Sequence, residues 1–260
     1  MRRVFYGIIL TALILGGCND KSSQPDSANV NSNTSSPINF TPPATIKPAA
    51  AVDPNFKACN PYFPLVPGSQ AKYTLVYSSG LIADVNVVVD ATQEDGKQVF
   101  VQTTQIVDKS GGLEKVETTV RKYICDGEKV QLVFEKSDNK VADRIDVVTH
   151  KFRTDALAML EPRNLARKGT TWGYTFSMTF ESPGQLPMTP EDPVSISFTS
   201  QGEEDQTVAA GKFKVLKIER KVGQKQVWDY YARGIGLVSR VADEGTRWEL
   251  KEYSGLKPMD

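Results

Sequence analysis

The clearest pattern along the chain is alternation with a period of two. Trp172, Tyr174, Phe176, Met178 and Phe180 fall on every second residue, with Gly173, Thr175, Ser177 and Thr179 between them. A strand points successive side chains to opposite faces, so this run predicts a half-buried strand with one aromatic face. Ala71, Tyr73, Leu75 and Tyr77 repeat the pattern, as do Val85, Val87 and Val89, and Val130, Leu132 and Phe134. Turn pairs punctuate the runs at Asp95-Gly96, Gly111-Gly112, Asp126-Gly127, Asp138-Asn139, Ala210-Gly211 and Glu244-Gly245. The order predicts an all-β, antiparallel meander forming a curved sheet, a half-barrel or a sandwich. At most one short helix is expected, over Thr154 to Leu160 and ended by Pro162.

The chain also resembles itself. Gly68-Ser69-Gln70-Ala71-Lys72-Tyr73-Thr74 aligns with Gly169-Thr170-Thr171-Trp172-Gly173-Tyr174-Thr175, and Tyr123-Ile124-Cys125-Asp126-Gly127 aligns with Tyr230-Tyr231-Ala232-Arg233-Gly234. Two anchors in the same order predict two similar β-units, over residues 61–150 and 162–253.

The N-terminus breaks the pattern. Arg2 and Arg3 precede an apolar stretch from Val4 to Leu15, too short for a permanent membrane span of about 20 residues but right for a secretory leader. Leu15-Gly16-Gly17-Cys18 resembles the bacterial lipobox, which implies cleavage before Cys18 and lipidation, including palmitate, of its thiol. Residues 1–17 then form the signal peptide, and Cys18 is the membrane attachment. Asn19 stands where Asp would mark inner-membrane retention, so a lipid-anchored place at the outer membrane, facing periplasm or surface, is favoured over the inner membrane. Residues 18–55 are rich in Ser, Asn, Thr, Pro and Ala without apolar periodicity, the composition of a disordered tether. A flexible chain of this length spans on the order of 35 Å. The globular part is expected over residues 56–256.

Charge excludes one class of partner. The 31 basic and 31 acidic residues balance, and no basic run suggests nucleic-acid binding. Beyond Cys18, only Cys59 and Cys125 remain, and an even pair in an exported chain reads as a disulfide.

Catalytic constellations are missing from the sequence. There is one histidine, His150, expected as a strand residue with a solvent or backbone partner. With no second histidine and too few thiols, no metal site is expected, and no cofactor motif is present. The acids Glu203, Glu204 and Asp205 read as a solvated loop, and Gly234-Ile235-Gly236 as a turn. What stands out is aromatic: Trp172, Tyr174, Phe176, Tyr230 and Tyr231 form a candidate ligand face, either packed as core or lining a pocket.

Three longer segments carry a family resemblance. Tyr62-Phe63-Pro64-Leu65 leading into Gly68 and Tyr73 is similar to the YFPL-x-x-G-x-x-W-x-Y opening of uncharacterised bacterial envelope lipoproteins. Ala210-Gly211-Lys212-Phe213 through Ile218 resembles their AG-x-F-x-x-L-x-I hairpin, and Tyr230 through Val238 their YYA-x-G-x-G-LV segment. Ala71 departs from the usual tryptophan, which Trp172 keeps in the second unit. The resemblance implies an envelope lipoprotein with a β-domain and implies no reaction. The reading is a non-enzymatic, membrane-anchored binding or structural module, contacting an envelope protein or polysaccharide. The alternative is a periplasmic carrier or sensor of a hydrophobic, lipid-like ligand.

Overall fold

The computed structural model describes Asp53, residues 55–110 and residues 112–259. The signal peptide, Cys18 and nearly all of the tether lie outside the described residues. The remainder is a meander of thirteen strands: β1 (Gln70–Val76), β2 (Ile82–Glu94), β3 (Lys97–Asp108), β4 (Lys115–Asp126), β5 (Lys129–Val141), β6 (Arg144–Phe152), β7 (Ala156–Met159), β8 (Thr171–Glu181), β9 (Val194–Val208), β10 (Gly211–Val222), β11 (Lys225–Ala232), β12 (Gly236–Ala242) and β13 (Arg247–Ser254). One short helix, α1 (Pro162–Leu165), lies between β7 and β8.

The all-β antiparallel prediction holds, and the sheet goes further than a half-barrel. β1 pairs with β13, β6 with β8, and β4 with β5, so twelve strands join in a ring while β7 pairs along the free part of β5. Closure removes the unpaired edges that an open sheet would expose. Tyr73, Leu75 and Val85, from the period-two runs, are buried, and so are Leu216, Ile218, Val227, Trp248 and Leu250.

The two halves, β1–β6 and β8–β13, share local geometry. Gly68 donates to the Val89 carbonyl and Val89 to that of Ser69; Gly169 donates to Ser200 and Ser200 to Thr170. Both glycines sit at positive φ, 84° and 86°, where a residue with a Cβ is strained. Each half also has a bulge at a matching rung, which leaves Val133 of β5 and Val238 of β12 without a partner. The bulges align Tyr123 with Tyr231 and Lys122 with Tyr230, one residue out of step with the sequence alignment. A one-residue slip moves every side chain to the other face.

Other local expectations are corrected. Ala156–Met159 is a strand, and Pro162 starts the helix instead of ending one, because proline at a first helical position loses no hydrogen bond. Asp138 and Asn139 lie inside β5, and the turn falls at Ala142-Asp143. Glu203, Glu204 and Asp205 belong to β9, where Lys214 and Lys217 of β10 pair with the two glutamates. The bulge at Val133 turns Phe134 outward, and the Lys122 ammonium lies 5.6 Å from its ring centre.

The resembling motifs have structural roles. Phe63 packs against Tyr123 and Tyr231, with ring centres 5.1 and 6.3 Å away. Asn60 donates to the carbonyls of Glu128 and Leu160, and Gly234 donates to that of Pro61. The Pro64 ring lies so close to Gly236 that a Cβ there would sit 3.2 Å from it. The segment therefore straps the barrel end where β4 meets β5 and β11 meets β12. Cys59 and Cys125 form the expected disulfide, Cα atoms 6.2 Å apart, fastening this strap to β4.

Candidate functional site in the barrel interior

The interior is not uniformly apolar. On the inner face of β4, Arg121 stands opposite Glu135 of β5, and Glu135 stands opposite His150 of β6. Arg121 Nε lies 2.9 Å from Glu135 Oε2, and His150 Nδ1 lies 3.1 Å from Oε1. Both Glu135 and His150 are buried, so the histidine pairs with an interior carboxylate and not with solvent or backbone. In the second half, Asp229 of β11 stands opposite Arg240 of β12. Arg240 Nε lies 2.5 Å from Asp229 Oδ1, and Arg220 Nε of β10 lies 3.2 Å from Oδ2. Asp229 is buried, with 2% of its side chain exposed.

These two groups occupy equivalent rungs. In each half the ion pair lies one rung before the bulged pair, Lys122 with Phe134 or Tyr230 with Ser239. The signs are exchanged: the third-from-last strand of the unit carries Arg121 in the first half and Asp229 in the second. The next strand carries Glu135 and Arg240. The third position is His150 in one half and Trp248 in the other, and the Arg240 guanidinium lies 5.2 Å from the Trp248 ring centre.

Electrostatics tie the two groups into one layer. Burial pushes the Glu135 carboxyl up, but Arg121 and His150 outweigh it and hold its pKa well below the usual range. Burial acts likewise on Asp229, and Arg240 with Arg220 hold it below its ordinary value. Tyr174 senses Glu135, Arg220 and Arg121, while Tyr231 senses Asp229, Arg240, Arg220 and Arg121. Burial raises both phenols far above their ordinary value, so both remain neutral hydroxyls. Burial also raises Glu117, on the same face of β4, to about 7 against the pull of Arg121.

The predicted ligand face divides. Trp172, Tyr174 and Phe176 share the interior: Trp172 stacks on Phe198 at 5.2 Å, Tyr174 lies 6.0 Å from Phe198, and Phe176 lies 4.7 Å from His150. Tyr231 joins them, opposite Leu216. Tyr230 does not, because adjacent strand residues face opposite ways; the Lys217 ammonium lies 5.4 Å from its ring centre on the outer wall. Sequence alternation found the aromatics and missed the charges. Arg121, Glu135, Arg220, Asp229 and Arg240 look like surface residues until the pairing puts them inside. Among the described residues, no three His, Cys, Asp or Glu side chains converge as metal ligands do, and no helix is long and apolar enough to cross a membrane.

No protein-family model matches the chain, and no curated protein matches its sequence. Among solved structures, a protein of Bacteroides fragilis, inferred to be exported and described as YmcC-like in fold, superposes with a TM-score of 0.50. It is 15% identical, covering 75% of this chain and 100% of the other. A protein of Parabacteroides distasonis, inferred to be a lipoprotein, gives a TM-score of 0.39 at 12% identity, covering 76% and 100%, a likeness too loose to carry an argument. The first similarity, at this level of identity, speaks to the fold alone.

Proposed function

We propose that the chain is a lipid-anchored, non-enzymatic binding module of the bacterial cell envelope, carried on a flexible tether and working through its barrel. Its location rests on Leu15-Gly16-Gly17-Cys18, on the Pro- and Ser-rich stretch that follows, and on the Cys59–Cys125 bridge, which suits an oxidising compartment. The outer membrane, facing periplasm or surface, is the proposed site, since Asn19 replaces the retention aspartate. The exported neighbour of similar fold agrees with this reading.

The observation that carries the binding role is the polar interior layer. Ion pairs of this kind add little net stability compared with an apolar core, since desolvating the charges offsets their attraction. Two such groups kept at matched rungs, beside Tyr174 and Tyr231, are therefore better explained by recognition than by folding. An envelope protein or a polysaccharide is one class of partner. The carrier reading, for a lipid-like ligand, is favoured by one specific feature: Trp172, Tyr174 and Phe176 all face the interior, and Trp172 is only partly buried.

Cell fractionation tests the anchoring. Cys18→Ala should leave the lipid-modified membrane fraction and fail to incorporate labelled palmitate. An unchanged membrane yield and unchanged palmitate label would overturn the lipoprotein reading. Native mass spectrometry of protein purified from its host tests the binding role by asking whether a small molecule travels with it.

A further inference from the structure

We infer that the barrel interior binds the anionic head of a single-chain amphiphile, a long-chain carboxylate, between the Arg220–Asp229–Arg240 group and the Trp172–Phe198 stack. This deepens the binding role proposed above and rests on it.

The charge count comes first. Asp229 is one carboxylate shared by two guanidiniums, and guanidinium does not lose its proton in proteins. The groups that face these arginines are Asp229, Tyr231, Tyr174 and Arg121, so the local excess of one positive charge has no acid of its own. In the other half Glu135 already serves Arg121 and His150, and Glu117 lies beside Arg121, Glu135, Thr119 and Tyr77 of that half. A buried charge without a counter-charge is costly, and an anion delivered to it is correspondingly well held.

The second observation is a set of orphan donors. Arg220 Nε is buried without an aligned acceptor, although Asp229 Oδ2 is near, and Trp172 Nε1 is buried with no acceptor among the described residues. Phe198 pairs with Trp172 on one side and with Arg220 on the other, so both orphan groups stand on one row of the inner wall. Buried donors in native proteins nearly always have partners. A carboxylate with two oxygens suits a forked guanidinium and an adjacent N–H.

The third observation is apolar. The strand order puts six hairpin loops at one barrel mouth, the mouth to which β10 and β12 run. Arg220 and Arg240 each lie two residues from the end of their strand there. Four neighbouring loops of this mouth expose Leu81, Ile82, Leu113, Val141, Leu186 and Met188, and Leu186 is 92% exposed. The strap around Phe63, fastened by the Cys59–Cys125 bridge, lies at the opposite barrel end. An acyl chain leaving the arginines toward this rim would start beside the aromatic stack, which shares the Arg220 row, and end among apolar loop tips. A bare anion would leave both unused.

The test uses the mature chain from residue 18, with Cys18→Ser so that no acyl group is attached. Oleate, uncharged monoolein and acetate are titrated below micelle-forming concentrations while tryptophan fluorescence is followed. Oleate should bind one to one and about tenfold or more tighter than monoolein, with acetate not detectable, a difference of about 1.4 kcal/mol. Arg220→Gln should bring oleate down to the monoolein level and leave monoolein unchanged. Arg220→Lys, which keeps the charge and loses the fork, should fall between them. Equal affinity for oleate and monoolein, no binding of either, or a folded Arg220→Gln variant that binds oleate as before would each overturn the proposal. The oleate-to-monoolein ratio decides on the unaltered protein even if neither variant folds. Failure here leaves the Cys18 fractionation result untouched, so the two readings fall separately.

Discussion

The two halves of the barrel solve the same local problem with opposite signs. In the first, a carboxylate on β5 is shared by an arginine and a histidine; in the second, a carboxylate on β11 is shared by two arginines. The bulges show that the rungs are equivalent, so backbone geometry did not dictate the difference. A guanidinium keeps its proton in proteins. The second group therefore sets two permanent positive charges on one carboxylate, and the first sets one beside its imidazole. Similar scaffolds have become different sites through three side chains.

Removing each shared acid is the strongest way to break this comparison. Asp229→Asn strands two buried guanidiniums and should cost about 3–5 kcal/mol by urea denaturation. Glu135→Gln strands one guanidinium and should cost about 2–3 kcal/mol. Equal losses, or a larger loss at Glu135, would refute the asymmetry. Both acids are held below their ordinary pKa, so the stability they supply is present above the unfolded-state value and is lost as pH falls toward the folded one.

The disulfide belongs to the first half alone. With its cysteines 66 positions apart in sequence, its loss in the Cys59→Ala, Cys125→Ala chain should cost roughly 4 kcal/mol in the chain-entropy account. Limited proteolysis should then cut the strap around Phe63 before the second half.

Glu117 gives a smaller effect with a definite sign. Its carboxyl is raised to about 7 from an ordinary 4.5, so the folded state disfavours its charge. The penalty is absent below pH 4.5, grows between 4.5 and 7, and is constant above. Glu117→Gln should stabilise the protein by about 1–2 kcal/mol at pH 8 and leave it unchanged at pH 4. A constant gain at both pH values would assign the effect to packing. At the bottom of the scale, the exposed Lys72–Glu252 pair on the outer wall should contribute about 0–1 kcal/mol when probed by Lys72→Ala.

How much of this was legible beforehand follows from the period of the strand. Alternating Trp172, Tyr174 and Phe176 announced an inner face because apolar side chains repeat every second residue, and the glycine-marked turns at Asp95-Gly96 and Asp126-Gly127 showed where strands reverse. Glu203 to Asp205 and Asp138-Asn139 misled because an outward strand face, or a polar interior, has the composition of a loop. Tyr230 and Tyr231 were read together as one face, yet the pleat separates adjacent residues.

The sequence alone determined the β class, the paired cysteines and the repeated entrance into Tyr73 and Tyr174, because each is a local or compositional property. Only the tertiary structure decided that the sheet closes, that Val133 and Val238 bulge at matching rungs, and that Arg121, Glu135, Arg220, Asp229 and Arg240 turn inward. Those outcomes depend on register between strands far apart in the chain. A single rung of register decides whether Arg220 meets Asp229 or water.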